Sequence, residues 1–458
     1  MNKLTKSILW LSVFSLIIEI DLFQIFGGGI KAWMIMTALA TIILVWWAHL
    51  NGWKEILGSR ILLFGAGFGF FALLGIFNSP QVAYSLKQLV VLAVLIILAV
   101  FFERQIKRFP KTVYAALAVG ITVSSLAAIY QNVAFAWGWP HFEFMPARPN
   151  AFFPEPDWLG MYLALALVPF LVWIGRQRRK SALPRWLENK FFFYPFLLLG
   201  IVGIIISVAR ASWLALSAEI AVIVLLAAIR AYQKEKKASI FFLAGLRKGL
   251  AFLLLIMVAY GVVEILHLSR FNISDRARSI FFREHIITLA QNPATGEKIK
   301  INLEEKDIYR QRGYNILEEY IPDENVISRG EKAIGAWDII KEHPALGSGL
   351  GITLISTNYE HNANNLFLEW WASAGLGGIL VLVVLFFYLA AEGILLLKRN
   401  YPAAELVLAG TAGFIMVNLF NASIFLAFAW FYLVFMLKNA KFDILALWVK
   451  NIKAKNNN

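Results

Sequence analysis

Cysteine is missing from this chain of 458 residues, so disulfides and thiolate-bound metals are excluded. There is no His-Glu-x-x-His helix and no Gly-x4-Gly-Lys-Ser/Thr loop. The six histidines, at 49, 141, 267, 285, 343 and 361, fall at no metal-like spacing. Neither a metal nor another cofactor is therefore expected. Charge is scarce as well: 16% of residues are Asp, Glu, Lys or Arg, against about 25% in soluble domains. Acid is scarcer than base, 29 residues to 43. No internal repeat is found, which removes the two similar halves often seen in transporters.

Apolar sequence fills the space left by charge, at 59% of residues. A hydrocarbon core of roughly 30 Å needs about 20 apolar residues per helix, and about twelve such runs can be placed. They lie near 7–26, 32–50, 61–77, 86–102, 112–137, 159–175, 191–209, 211–229, 249–267, 366–397, 403–418 and 422–437. The first carries Glu19 and Asp21 and no small-residue cleavage site, so it reads as a retained span rather than a signal peptide. The expected fold is thus all-α, a polytopic bundle of about twelve spans. Lys and Arg orient it, because short loops rich in them stay cytoplasmic. With both termini inside, the short outer segments keep only Lys31, Lys87, Arg148 and Arg210. The basic runs RQRRK (176–180) and KEKK (234–237) then read as orientation signals that also meet anionic lipid, and no nucleic-acid partner is expected. The division is 1–267, nine spans; 268–364, one large extracytoplasmic loop; 365–437, three spans; and 438–458, a cytoplasmic tail.

The outer loop has the one soluble-like composition in the chain, and its polar stretch reads as helix and loop lying on the bundle without a large core of its own. In SRGEKAIGAWDIIKEHPALGSGLG, Ala333, Ile334, Trp337 and Ile340 recur at helical spacing and His343-Pro344 stops the helix, which puts Arg329 near the start of an amphipathic helix. GSGLG (347–351) lacks the strand-loop-helix unit of a phosphate loop and reads as a turn. Arg210 sits between long apolar flanks, in IVGIIISVARASWLALSAEIAVIVLL, where a guanidinium must snorkel or line a wet cavity. Glu219, in the same stretch, reads as a partner for a polar group on another helix. His361, Asn362, Asn364 and Asn365 crowd the entrance to the span near 366–397. One Asn suffices to cap a helix; the surplus reads as a polar cluster facing a substrate.

SVARASWLAL resembles the Ser-Arg-small-Trp turn of the O-antigen ligase and polymerase superfamily. RGEKAIGAWDIIKEHPALGSGLG resembles its Arg…Trp…Pro-x-x-Gly-x-Gly block, NNLFLEWWASAGLGG its His-Asn…Leu…Gly-x-x-Gly block, and FFPEPDWLGMYLALALVP (152–169) its Pro-Asn loop. Each motif is weak alone; their order and spacing, over about residues 150 to 380, are specific.

The resemblance implies a GT-C-like membrane glycosyltransferase in the bacterial cytoplasmic (inner) membrane, with its site facing the periplasm or cell exterior. It would move a glycan from a polyprenyl diphosphate carrier to an acceptor hydroxyl, without metal or nucleotide sugar. Arg210 and Arg329 map onto the arginines that hold the diphosphate, a role suited to bidentate guanidinium. Counting back from Gly375 puts the family's His-Asn pair at Asn364-Asn365, so Asn stands where the histidine base is expected. Neutral Asn can hold a hydroxyl but cannot take its proton. His361, three residues earlier, is the candidate to take over, with Asn364 and Asn365 beside it in the site.

The expected acceptor is a lipid A core sugar, as for a ligase. Alternatives are the growing glycan, as for a polymerase, or a protein Ser/Thr, which the short tail with no added soluble domain disfavours. A polytopic transporter or lipid flippase is the rival from another class. It would place its charges near the membrane midplane rather than at one boundary.

Overall fold

The computed structural model describes residues 2–25, 28–142, 148–174, 183–282, 284–293, 295–301, 306–322, 324–351 and 363–440. Among the described residues, seven helices are long and apolar enough to cross a membrane: Ala32–Asn51, Arg60–Asn78, Val82–Gln105, Pro110–Ala136, Arg210–Glu235, Ala238–Ile265 and Leu366–Lys398. Four shorter apolar helices, Pro156–Leu171, Lys190–Ile206, Ala403–Asn418 and Ala427–Asn439, match further apolar runs. The chain is a mainly helical, multi-pass membrane protein.

Burial sorts these helices from inside to outside. In Pro156–Leu171 every residue from Leu159 onward is buried, and in Ala427–Asn439 every residue through Leu437, so both sit in the middle of the bundle. Arg210–Glu235 packs against Pro156–Leu171, Ala403–Asn418 and Ala238–Ile265. The last of these buries only Phe252, Ala259 and Val263 and exposes Phe242, Leu246, Leu250, Leu254 and Met257. Water would not tolerate such a continuous apolar face, whereas lipid does.

Two expectations change. The apolar run at 7–26 is not one helix. Asn2–Ser15 is helical, about 21 Å at 1.5 Å per residue and short of a hydrocarbon core. A two-stranded hairpin, Asp21–Ile25 with Gly28–Lys31, follows. Glu19 explains the break. Its buried carboxylate accepts from Lys31 at 2.9 Å, from the Trp33 indole at 3.2 Å and from the Ala427 amide at 3.3 Å, tying the N-terminal turn to the start of helix Ala427–Asn439.

The second change is in the segment 268–364, which is not purely helix and loop. It holds helices Ile273–Phe282, Lys306–Gln311 and Glu324–Glu342 and a three-stranded antiparallel sheet. Glu284–Gln291 is the central strand, with Lys298–Ile301 on one side and Asn315–Pro322 on the other. KIKI alternates with period two, and the Asn315–Pro322 edge is braced by Lys306–Glu318 at 2.7 Å and the Arg278–Tyr320 hydrogen bond at 2.9 Å. The all-α expectation missed this small sheet.

Candidate active site

Asp157 lies in the first turn of the innermost helix and is the hub of a charged cluster. One carboxylate oxygen accepts from Arg148 at 2.7 Å and the other from Arg329 at 2.8 Å. Arg148, Asp157, Val208, Arg210, Arg276 and Arg329 line a pocket of about 60 Å³. Four guanidinium groups and one carboxylate thus line the same small pocket. That excess of positive charge favours an anion there over a cation.

Local structure holds each guanidinium in place. The side-chain oxygen of buried Gln131 accepts from the amides of Asn150 and Ala151 at 3.0 and 2.8 Å, and the Asn150 amide group donates to the Phe153 carbonyl at 2.5 Å. That turn carries Arg148 on one side and Asp157 on the other. Arg148 also donates to the Ser207 carbonyl at 3.1 Å, in the turn joining Lys190–Ile206 to Arg210–Glu235. At the tip of this turn Val208 has φ +54°, a conformation a β-branched residue adopts only under constraint. The Trp213 indole donates to the Ile204 carbonyl at 3.1 Å and closes the turn from the other side. Gly160 lets the central helix approach: a Cβ there would lie 2.5 Å from the Ser212 hydroxyl and 2.6 Å from the Ala209 Cβ.

Arg329 is positioned from the far end of its helix, Glu324–Glu342. The GSGLG segment that follows lies against helix Leu366–Lys398 where that helix breaks, at Gly375 with φ +62°. Ser348 and Gly349 amides donate to the carbonyls of Ala372 and Ser373 at 2.7 and 3.1 Å, and Leu376 donates back to Pro344 at 3.0 Å. A Cβ on Gly375 would stand 2.1 Å from the Ala345 carbonyl oxygen. The two glycine motifs are therefore each other's packing partners.

The amide cluster behaves differently. Asn365 is the N-cap of Leu366–Lys398: its oxygen accepts from the amides of Phe367 and Leu368 at 3.0 and 3.1 Å, while its nitrogen donates to the Leu419 carbonyl at 3.0 Å. Asn364 precedes it with φ +51°, in the left-handed region that Asn tolerates. Neither lines the arginine pocket, and His361 lies outside the described residues. Glu219 is fully buried, with neither carboxylate oxygen hydrogen-bonded among the described residues and with Gly413 against it. The expected partner for it is therefore not found there.

Two further charges flank the cluster. Glu155 is the residue before the central helix, and Lys332 lies one turn along from Arg329 and is 8% exposed. Burial, reinforced by Asp157, pushes the Glu155 carboxyl above the usual range against the pull of Lys332, Arg148 and Arg329. Burial likewise lowers the Lys332 amine, against the attraction of Glu155. No group of His, Asp and Glu able to hold a metal occurs among the described residues. A larger hollow of about 590 Å³, lined by Thr41, Ile42, Val45, Trp46, His49 and Trp53, is an open and mainly apolar groove.

Sequence reasoning singled out Arg210 and Arg329 but missed Arg148, Asp157, Arg276, Glu155 and Lys332. Arg148 carried a usable signal as one of the few basic residues in the short outer segments. Asp157 carried little, since an acid in a first helical turn is ordinary.

Residues 195–383 match the family model for O-antigen ligase. Among curated proteins, no match to the chain is found. The matched stretch includes Arg210, Arg329, Asn364 and Gly375 and leaves out Arg148, Glu155 and Asp157.

Proposed function

We propose, on the premise that residues 195–383 place this chain in the O-antigen ligase superfamily, that it transfers a glycan from a polyprenyl diphosphate carrier to an acceptor hydroxyl. The ligase reading, with a lipid A core sugar as acceptor, is the first choice. A glycan acceptor, as in a polymerase, uses the same chemistry. The observation that supports this best is the convergence of Arg148, Arg210, Arg276 and Arg329 on one pocket. When the anomeric carbon leaves its carrier, charge builds on the diphosphate oxygens, and fixed guanidinium groups in a water-poor site stabilise it more than they stabilise the ground state. Arg210 and Arg329 are the proposed diphosphate ligands. Asp157 holds Arg148 and Arg329 in register before the donor arrives.

At about 60 Å³ the pocket is far smaller than the few hundred Å³ of an ordinary ligand site, so donor entry requires the Asp157 pairs to yield or the arginine side chains to swing. About twelve crossings, with the short helix Asn2–Ser15 and the turn after it counted as the first, a cytoplasmic-membrane location and an outward-facing 268–364 segment complete the proposal. A site at one end of the central helix fits a reaction at a membrane boundary better than a midplane transport site.

The test is reconstitution with a polyprenyl diphosphate-linked oligosaccharide and candidate acceptors, reading released polyprenyl diphosphate and the mass of the glycosylated product. Product formation without metal is expected. Movement of the donor across a vesicle with no new glycosidic bond would replace this reading with transport. Topology has its own check: a cysteine placed at Lys306 should react with an impermeant thiol reagent in intact spheroplasts, and labelling only after lysis would invert the orientation.

A further inference from the structure

A glycosyl transfer to a hydroxyl needs a group to take the hydroxyl proton, and the position aligned with the family's histidine is Asn364. Its neighbour Asn365 is spent on a helix cap. The charged cluster itself supplies a carboxylate. We infer that Glu155 is the general base of this site, accepting the proton of the acceptor hydroxyl; this rests on the transfer reading above.

The two acids at the head of the central helix are used differently. Both oxygens of Asp157 are engaged by Arg148 and Arg329. Glu155 stands at the N-cap position, yet its side chain caps nothing; the Trp158 and Leu159 amides bond to its backbone carbonyl instead. Among the described residues no donor hydrogen-bonds to its carboxylate and no cation pairs with it within 4.0 Å. The charges that face it are Asp157 on its own helix, Arg148 on the preceding loop, and Arg329 and Lys332 on helix Glu324–Glu342. It is thus a part-buried carboxylate with no partner among the described residues, two positions before Asp157, just outside the lining of the arginine pocket and under the influence of Arg329, one of the two guanidinium groups assigned to the diphosphate. Burial lifts its proton affinity toward the working range of a base, while Lys332 and the arginines keep an ionised fraction available.

The step balances without a further reactant. The acceptor oxygen forms a bond to the anomeric carbon as the bond from that carbon to the diphosphate oxygen breaks. The electron pair of the broken bond stays on the polyprenyl diphosphate, held by the arginines. The hydroxyl proton passes to Glu155 and from there to water.

The experiment uses full-length protein with saturating donor and acceptor over a pH series. In wild type the transfer rate should fall on the acid side, with the midpoint above the ordinary glutamate range. Glu155→Gln should lower the rate by about 100-fold or more, abolish that acid limb and leave donor retention within about twofold. Lys332→Gln removes a positive neighbour that favours the ionised form, so it should move the limb to higher pH whatever it does to the maximal rate. Glu155→Asp should keep part of the rate and the limb; together with Lys332→Gln it decides the matter if Glu155→Gln does not accumulate. A Glu155→Gln enzyme with full rate, or an acid limb that ignores Lys332→Gln and vanishes with His361→Ala, overturns the inference. If Arg210→Ala and Arg329→Ala are dead while Glu155→Gln is normal, the inference alone fails. If both arginine variants transfer normally, the proposed function fails with it.

Discussion

The arginine-bearing motifs, SVARASW and SRGEK, and the amide-and-glycine motifs, HPALGSGLG and NNLF…GLGG, meet in different parts of the fold and do different work. Arg210 and Arg329 come from separate helices to one pocket, where Asp157 bridges Arg329 to Arg148. The glycine blocks meet each other, with Ser348, Gly349 and Leu376 exchanging backbone hydrogen bonds across the break at Gly375. Asn365 caps the helix that carries the break. A residue pattern characteristic of a family can thus hold two populations: side chains directed at the reacting groups, and backbone devices that set where those side chains stand. The second population decides the first. The glycine lock fixes the end of the helix on which Arg329 rides.

The sharpest way to break this comparison is to exchange the expected phenotypes. Arg210→Ala or Arg329→Ala should reduce transfer by about 100- to 1,000-fold at normal expression and thermal stability, the range seen on removing a donor to a developing oxyanion. The lysine variants should recover little, because an ammonium lacks the planar fork. Stability loss matching the activity loss would instead move the arginines into the architectural group. Gly375→Ala should do the opposite. Its φ of +62° costs about 1–3 kcal/mol for a residue with a Cβ, before the contact with the Ala345 oxygen is counted. A lower melting temperature and yield are expected, with the surviving folded molecules transferring at near-normal rate. A stable but inactive Gly375→Ala protein would contradict the division. The smallest effect is expected at Asn365. Losing the cap should cost about 1 kcal/mol, Asn365→Asp should retain it, and transfer should change by no more than about threefold. A collapse of transfer in Asn365→Ala with unchanged melting would return the amide cluster to the catalytic group.

Much of the helical framework is legible along the chain, because each apolar run reports its own burial or lipid exposure without reference to its neighbours. The run at 403–418 coincides with helix Ala403–Asn418, and that at 366–397 with Leu366–Lys398. Where a local rule had two outcomes, reading failed. The run at 7–26 contains enough apolar residues for a span, but Glu19 must reach Lys31, Trp33 and Ala427, and those contacts are tertiary. The three strands of 284–322 are short, and their alternation is diluted by the surrounding charges. The candidate site was half visible: Arg210 was conspicuous as a charge between apolar flanks, whereas Asp157 and Glu155 looked like the ordinary acidic start of a helix.

What the sequence by itself determined is the solvent this chain folds in, the places where helices run through it, and the likeness of its 195–383 region to the O-antigen ligase family model. These depend on local quantities, namely the hydrophobicity of a window and the spacing of a motif. Tertiary structure decided which charges form a site. Asp157 and Arg329 are 172 positions apart, and Arg148 reaches the Ser207 carbonyl across 59. Their meeting is fixed by the close packing of the central helix at Gly160, the constrained turn at Val208 and the glycine lock at Gly375. No window of sequence contains those contacts, because each is a sum of packing free energies over helices far apart in the chain.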